Sequence, residues 1–249
     1  MWKNLLQLAL LLISLANCVN GQAKIIGGSD TPISAAPYAV NIRLKSTGEL
    51  ICCGTLVAQD MIITAATCLK DKYTVDQLTI QGNTNDFSAT GTRRNADLLV
   101  YPSGFNITTY NFDVCVLRLK TAMPTTLTPA VLATGGLSAG QPLKLYGWGL
   151  TSEDGSPSNI LQTTTVNAVA KSECLLSYEL TGTMFCASAP GKDGCTLDSG
   201  GPVINANGKL SGIMSWGYGC GRTDYPRVCT SMVVCGEWVN KVISNYSRS

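Results

Sequence analysis

Histidine is absent from all 249 residues of this chain. Imidazole is the side chain that ordinarily titrates near neutral pH, so its absence removes the commonest general base and the commonest metal ligand. Charge is also scarce: Lys and Arg number 18 and Asp and Glu 16, together 14% of the chain. Beyond Lys3 and Lys24 the balance is 16 to 16. A near-neutral surface argues against nucleic acid or an anionic membrane as the main partner. No apolar run reaches the roughly 18 residues of a membrane helix, so membrane insertion is not expected.

What is present begins with Lys3 ahead of an apolar run from Leu5 to Ala16, followed by small residues near Val19-Asn20-Gly21. This pattern predicts a secretory leader over residues 1–21 and a soluble, extracellular product. Of the 11 cysteines, Cys18 lies in the leader, leaving an even number to pair in an oxidising compartment. Asn106-Ile107-Thr108 and Asn245-Tyr246-Ser247 match the N-glycosylation acceptor pattern.

Short Val-, Ile-, Leu- and Thr-rich runs recur between Gly, Pro, Asn and Ser clusters: Ala39 to Leu44, Gly54 to Val57, Met61 to Ala65, Leu78 to Gln81, Val114 to Leu119, Leu143 to Gly147, Gly201 to Ile204 and Leu210 to Ser215. This punctuation predicts an all-β protein. At the end, Trp238, Val239, Val242, Ile243 and Tyr246 recur at helical spacing and predict a C-terminal helix with one apolar stripe. Met123 to Pro129, with two prolines and several threonines, is the expected connector between two halves.

Six motifs then occur in order: Ile25-Ile26-Gly27-Gly28 after a basic residue, Thr64-Ala65-Ala66-Thr67-Cys68, Asp113 before an apolar strand, Gly147-Trp148-Gly149, Cys195 to Pro202 containing Asp198-Ser199-Gly200-Gly201, and Ser215-Trp216-Gly217 with Cys220. In content and order they resemble the chymotrypsin/trypsin family from Lys24 to the end. The resemblance implies two packed six-stranded antiparallel β-barrels with a cleft between them: barrel one at about 25–123, barrel two at about 124–235 and a helix at about 236–246. It also implies a short propeptide, 22–24, cut after Lys24, so that the new amino terminus of Ile25 inserts beside Asp198.

By the same resemblance Ser199 matches the nucleophile and Asp113 the orienting carboxylate, but Thr67 stands where the catalytic base belongs. A threonine hydroxyl is not basic near neutral pH. Leu197 replaces the glycine that, with Ser199, forms the oxyanion hole, and a β-carbon there is expected to disfavour the backbone conformation required. Asp193 and Gly217 match a specificity pocket for Lys or Arg, yet Arg227 replaces the second wall glycine. Its guanidinium is expected to project inward and pair with Asp193; the alternative is that it swings out into solvent.

The resemblance pairs Cys52 with Cys68, Cys174 with Cys186, and Cys195 with Cys220. Cys53, Cys115, Cys229 and Cys235 are extras, for which Cys115 with Cys235 and Cys53 with Cys229 is one arrangement and a free reactive thiol another. No cofactor and no metal are expected, since histidine is missing and Asn83 stands near where the family's calcium loop begins with an acid. The expected function is that of a secreted, non-catalytic serine protease homologue of the kind arthropods use as cofactors, decoys or regulators in immune or reproductive protease cascades. Its partner would be an active serine protease, a zymogen, an inhibitor or a receptor. The alternatives are a weakly active hydrolase using Ser199 with an atypical base, and a peptide-binding carrier.

Overall fold

A computed structural model describes residues 25–248. The leader and Lys24 lie outside the described residues. Among the described residues thirteen strands divide between two barrels. Barrel one closes β2 (Ala39–Leu44), β3 (Leu50–Ala58), β4 (Met61–Thr64), β7 (Cys115–Leu119), β6 (Thr92–Val100) and β5 (Leu78–Gly82) in that spatial order. All its pairings are antiparallel, with Ile42 opposite both Cys52 and Ile80. Val40, Ile42, Leu56, Ile62, Leu78, Ile80, Leu117 and Leu119 fill its interior. Each such burial is worth about 1.5–3 kcal/mol against exposure, which is why these aliphatic runs commit to the barrel.

Barrel two uses β8 (Pro142–Gly147), β9 (Gln162–Val169), β10 (Met184–Ser188), β13 (Arg227–Ser231), β12 (Leu210–Trp216) and β11 (Pro202–Asn205). It closes through the long β8–β9 ladder. The two-residue β1 (Ser29–Asp30) adds to β9, so these residues join barrel two and not barrel one as the expected boundary had it. Leu143, Leu145, Val166, Val203 and Met214 make the second interior. Trp148, Ile63, Val116 and Ile213 belong to a further buried cluster that reaches the terminal helix.

Two short helices follow strands, α1 (Ala66–Leu69) and α2 (Lys171–Cys174). The terminal helix, α3, runs from Met232 to Tyr246 and so begins four residues before the expected start. Its buried residues are Met232, Cys235, Gly236, Val239 and Val242, whereas Tyr246, expected in the stripe, is exposed. Arg118 donates to the Tyr246 carbonyl at 3.1 Å and to Asp97 at 2.9 Å, fastening the helix end to barrel one. The connector also packs on barrel one, with Met123 and Leu127 buried in its core.

Candidate functional site

The cleft is a cavity of about 640 Å³ between the barrels, lined by Thr67, Leu197, Ser199, Ser215, Gly217 and Arg227 among others. Thr67 arrives on α1, directly after β4; Asp113 comes two residues before β7; Ser199 precedes β11 and Ser215 lies on β12. Barrel closure therefore brings together residues more than a hundred positions apart.

Asp113 is fully buried and its carboxylate is occupied. Oδ1 accepts the Thr67 backbone N–H at 2.8 Å, and Oδ2 accepts the Thr67 hydroxyl at 3.0 Å and the Ser215 hydroxyl at 2.5 Å. Burial raises the Asp113 carboxyl above its ordinary range, and the Ser215 and Thr67 donors offset only part of that. Ser199 Oγ donates to the Ser215 carbonyl at 3.0 Å. A carbonyl oxygen accepts a hydrogen bond but does not take up a proton near neutral pH. Lys72 also lines the cleft, its Nζ donating to the Thr67 carbonyl at 2.7 Å.

Leu197 adopts the conformation that its β-carbon disfavours. Its φ is +76°, so the backbone keeps the left-handed conformation despite the side chain, which packs against the buried cluster between the barrels. The strain this carries is roughly 1–2 kcal/mol. Gly200, at φ +83°, admits no side chain, because a β-carbon there would fall 2.1 Å from the Thr64 hydroxyl.

Asp193 and Arg227 meet, and the outward orientation of Arg227 is not adopted. Arg227 Nε donates to Oδ1 at 3.0 Å and Nη2 to Oδ2 at 2.9 Å. Nη2 also reaches the carbonyls of Gly194 at 2.6 Å and Gly219 at 3.1 Å. Burial opposes the guanidinium charge, yet the Asp193 carboxylate outweighs it and the Arg227 pKa stays raised. A β-carbon at Gly217 would lie 3.1 Å from Arg227 Nη1, so the guanidinium lies directly against Gly217 in the cleft. At the mouth, Arg222 holds Glu153 through two further hydrogen bonds of 3.0 and 2.5 Å.

Asp198 is fully buried and accepts N–H groups from Gly149 at 2.7 Å and Cys195 at 2.9 Å. Burial pushes its carboxyl up to about 6 against these donors. Ile25, at the start of the described residues, is itself fully buried, and the Ile26 carbonyl accepts the Asp193 N–H at 3.1 Å.

Cys52–Cys68, Cys174–Cys186 and Cys195–Cys220 are bonded. The remaining four expected partners are not: Cys53, Cys115, Cys229 and Cys235 are free and buried. The reason is packing. Cys115 belongs to the interior of barrel one and Cys235 to the cluster at the terminal helix, while Cys229 lies inside barrel two and Cys53 against Asp198. Burial lifts all four thiols, three of them to about 12, and so disfavours the thiolate that a reactive cysteine needs. Among the described residues no three His, Cys, Asp or Glu side chains group as metal ligands.

One feature of the cleft had no sequence signal. Trp216 stacks on Tyr110 at 5.3 Å between centroids and meets Tyr178 edge-on at 4.8 Å, and Tyr178 is followed outward by Tyr218 and Tyr225. These rings come from three separated segments, so no local pattern announces them.

Comparison with known proteins agrees with this architecture. A family profile described as Trypsin matches residues 25–239. Trypsin alpha of Drosophila erecta is 35% identical over 225 residues, covering 87% of this chain and 86% of its own. The vitellin-degrading protease of Bombyx mori is 33% identical over 235 residues, covering 90% and 88%. The structure of mouse neuropsin, a serine protease expressed in the limbic system of the brain, superposes with a TM-score of 0.80 at 26% identity, covering 87% of this chain and 98% of that one. With the barrels, the cleft and the three disulfides in place, the chain belongs to the trypsin family.

Proposed function

We propose that this protein is a secreted member of the trypsin family that has given up peptidase chemistry and acts by binding another extracellular protein. The observation that carries the reading is the hydrogen bonding of the two remaining triad positions. The Asp113 carboxylate is taken by Thr67 and Ser215, and the Ser199 proton points at a carbonyl. Among the described residues no hydrogen bond links the two, and the chain has no histidine to relay a proton between them. In an unrelated serine protease, loss of the base alone lowers turnover about a million-fold. The Arg227–Asp193 pair supports the reading independently, since it fills the pocket in which a Lys or Arg substrate would be held. The named relatives are peptidases, and this chain differs from the family's pattern at the positions those enzymes need. Secretion is supported by the leader pattern and the three disulfides. The partner fitting this surface is an active serine protease, its zymogen, an inhibitor or a receptor, met as a cofactor, decoy or regulator.

A second reading rests on Lys72, whose amine is held on the Thr67 carbonyl at the edge of the cleft. In that reading Lys72 deprotonates Ser199 and the protein is a slow hydrolase. Labelling with a fluorophosphonate, before and after cleavage at Lys24, separates the two. The binding reading expects no labelling above a Ser199→Ala control. Labelling that Ser199→Ala and Lys72→Met both abolish would establish the hydrolase instead.

A further inference from the structure

Of the two acceptor motifs, only Asn106-Ile107-Thr108 lies on a loop that presents its amide. Asn106 is exposed and its Oδ1 accepts the backbone N–H groups of Thr108 at 2.8 Å and Thr109 at 3.0 Å. Among the described residues its Nδ2 donates to nothing. The turn is held from below: the Asn106 N–H donates to the Asn111 carbonyl, and Asn111 donates to the Gly104 carbonyl and accepts from the Thr183 hydroxyl. Tyr110 and Phe112, at φ +54° and +50°, set the sharp bends that return the chain to Asp113. An Asx turn of this kind needs only neighbouring residues, so it can form before the barrels close.

Asn245 is exposed too, but it sits in regular helix and not in a side-chain-held turn. It lies in the last turn of α3, and Ser247, just past the helix end, has already left helical geometry with extended backbone at φ −64° and ψ 145°. Ser247 Oγ, moreover, donates to Asp60 at 2.6 Å.

We propose that Asn106, and not Asn245, is N-glycosylated, and that the sugar stands over an aromatic groove on the same rim of the cleft. The groove is a cavity of about 1000 Å³ with Thr108, Thr109 and Tyr110 on one side, Leu175 to Thr181 on the other, and Trp216 to Tyr218 between them. It leaves Leu176 87% and Tyr218 58% exposed, an apolar surface that a secreted monomer rarely leaves bare. A glycan rooted on the Asn106 turn covers that surface and limits what docks there. In the transfer, the Nδ2–C1 bond forms as the C1–O bond to a polyprenyl-pyrophosphate oligosaccharide donor breaks. The pyrophosphate leaves with the bonding electrons, the amide proton passes to the transferase's base, and no redox step is involved.

This inference rests on the proposed secretion. The full chain is expressed in a secreting insect or mammalian line, the medium is treated with peptide N-glycosidase, and conversion of Asn to Asp is mapped by mass spectrometry. Conversion is expected at Asn106 and not at Asn245. Thr108→Ala should abolish the mass shift while keeping the turn, because Thr108 holds Asn106 through its backbone. Nitration of Tyr218 by tetranitromethane should rise several-fold after deglycosylation. Secreted protein unmodified at Asn106, or modified at Asn245 alone, overturns the site. Equal nitration of Tyr218 with and without the sugar overturns the covering role. A chain that stays inside the cell with its leader attached is a different failure: it overturns the secretion reading and takes this inference with it.

Discussion

Arg227 grips Asp193 through two parallel hydrogen bonds of 3.0 and 2.9 Å, at the point where a trypsin would receive the charged end of its substrate. A planar fork facing a carboxylate is a specific and strong pairing, and here both partners are nearly sealed from water. On the proposed reading the protein thus carries its own ligand where a substrate side chain would enter.

Removing that ligand should open the pocket. Arg227→Gly strands Asp193 without a counter-charge, a loss of about 3–5 kcal/mol for a buried pair, and the melting temperature should fall. Benzamidine presents a similar planar, charged fork of N–H donors, an amidinium in place of the guanidinium, and should recover much of the loss. Calorimetry is expected to detect benzamidine binding to Arg227→Gly and none to the wild type; tight binding to the wild type would mean that the guanidinium leaves the pocket readily.

Restoring the base should be insufficient by itself. Thr67→His places an imidazole beside Asp113, but Arg227 still denies the substrate its seat, so amide substrates of Lys and Arg should remain uncleaved. Thr67→His with Arg227→Gly should cleave measurably. Adding Leu197→Gly should improve turnover by less than the roughly 100-fold or more that a missing oxyanion donor represents, because Leu197 already holds the left-handed backbone at φ +76°. Efficient cleavage by Thr67→His alone would remove the pocket from the account.

Asp198 should make the uncut protein less stable as pH rises. Its carboxyl stands at about 6 in the fold, against about 3.9 in an unfolded chain. A carboxyl raised on folding contributes stability that is complete below the unfolded value and is lost as pH rises through the folded one. The shift corresponds to on the order of 3 kcal/mol, and Asp113 is raised in the same direction. Melting temperatures of uncut wild type should fall between about pH 4 and pH 7 more steeply than those of Asp198→Asn. After cleavage at Lys24, an ammonium beside Asp198 would hold the charged form and remove this difference. An unchanged profile after verified cleavage would show that the new terminus does not reach Asp198.

The strands that were legible in the sequence are the ones buried on both faces or nearly so. Ala39–Leu44 and Met61–Thr64 read as aliphatic runs because they line a barrel and also face a neighbour. Thr92–Val100 and Gln162–Val169 did not, since one face of each meets solvent and carries Arg, Asn and Thr. Arg227–Ser231 is buried almost throughout but holds only one aliphatic residue, Val228. The helix ends at Tyr246 as expected, but Tyr246 falls outside the buried stripe, because periodicity locates a stripe without telling where the supporting surface stops.

The site divides in the same way. The missing histidine, the Thr67 substitution and the order of the six motifs are properties of the chain as written, independent of any contact. They were enough for the fold, because the same motifs recur at the same points of the two-barrel architecture. The direction of Arg227, the backbone kept by Leu197, the four unpaired thiols and the aromatic wall around Trp216 were decided by the tertiary structure. Each depends on which distant segments barrel closure brings within a few ångströms: Asp193 lies 34 residues from Arg227, and Asp113 102 from Ser215. A side chain's chemistry is written locally, but its partner is chosen by packing.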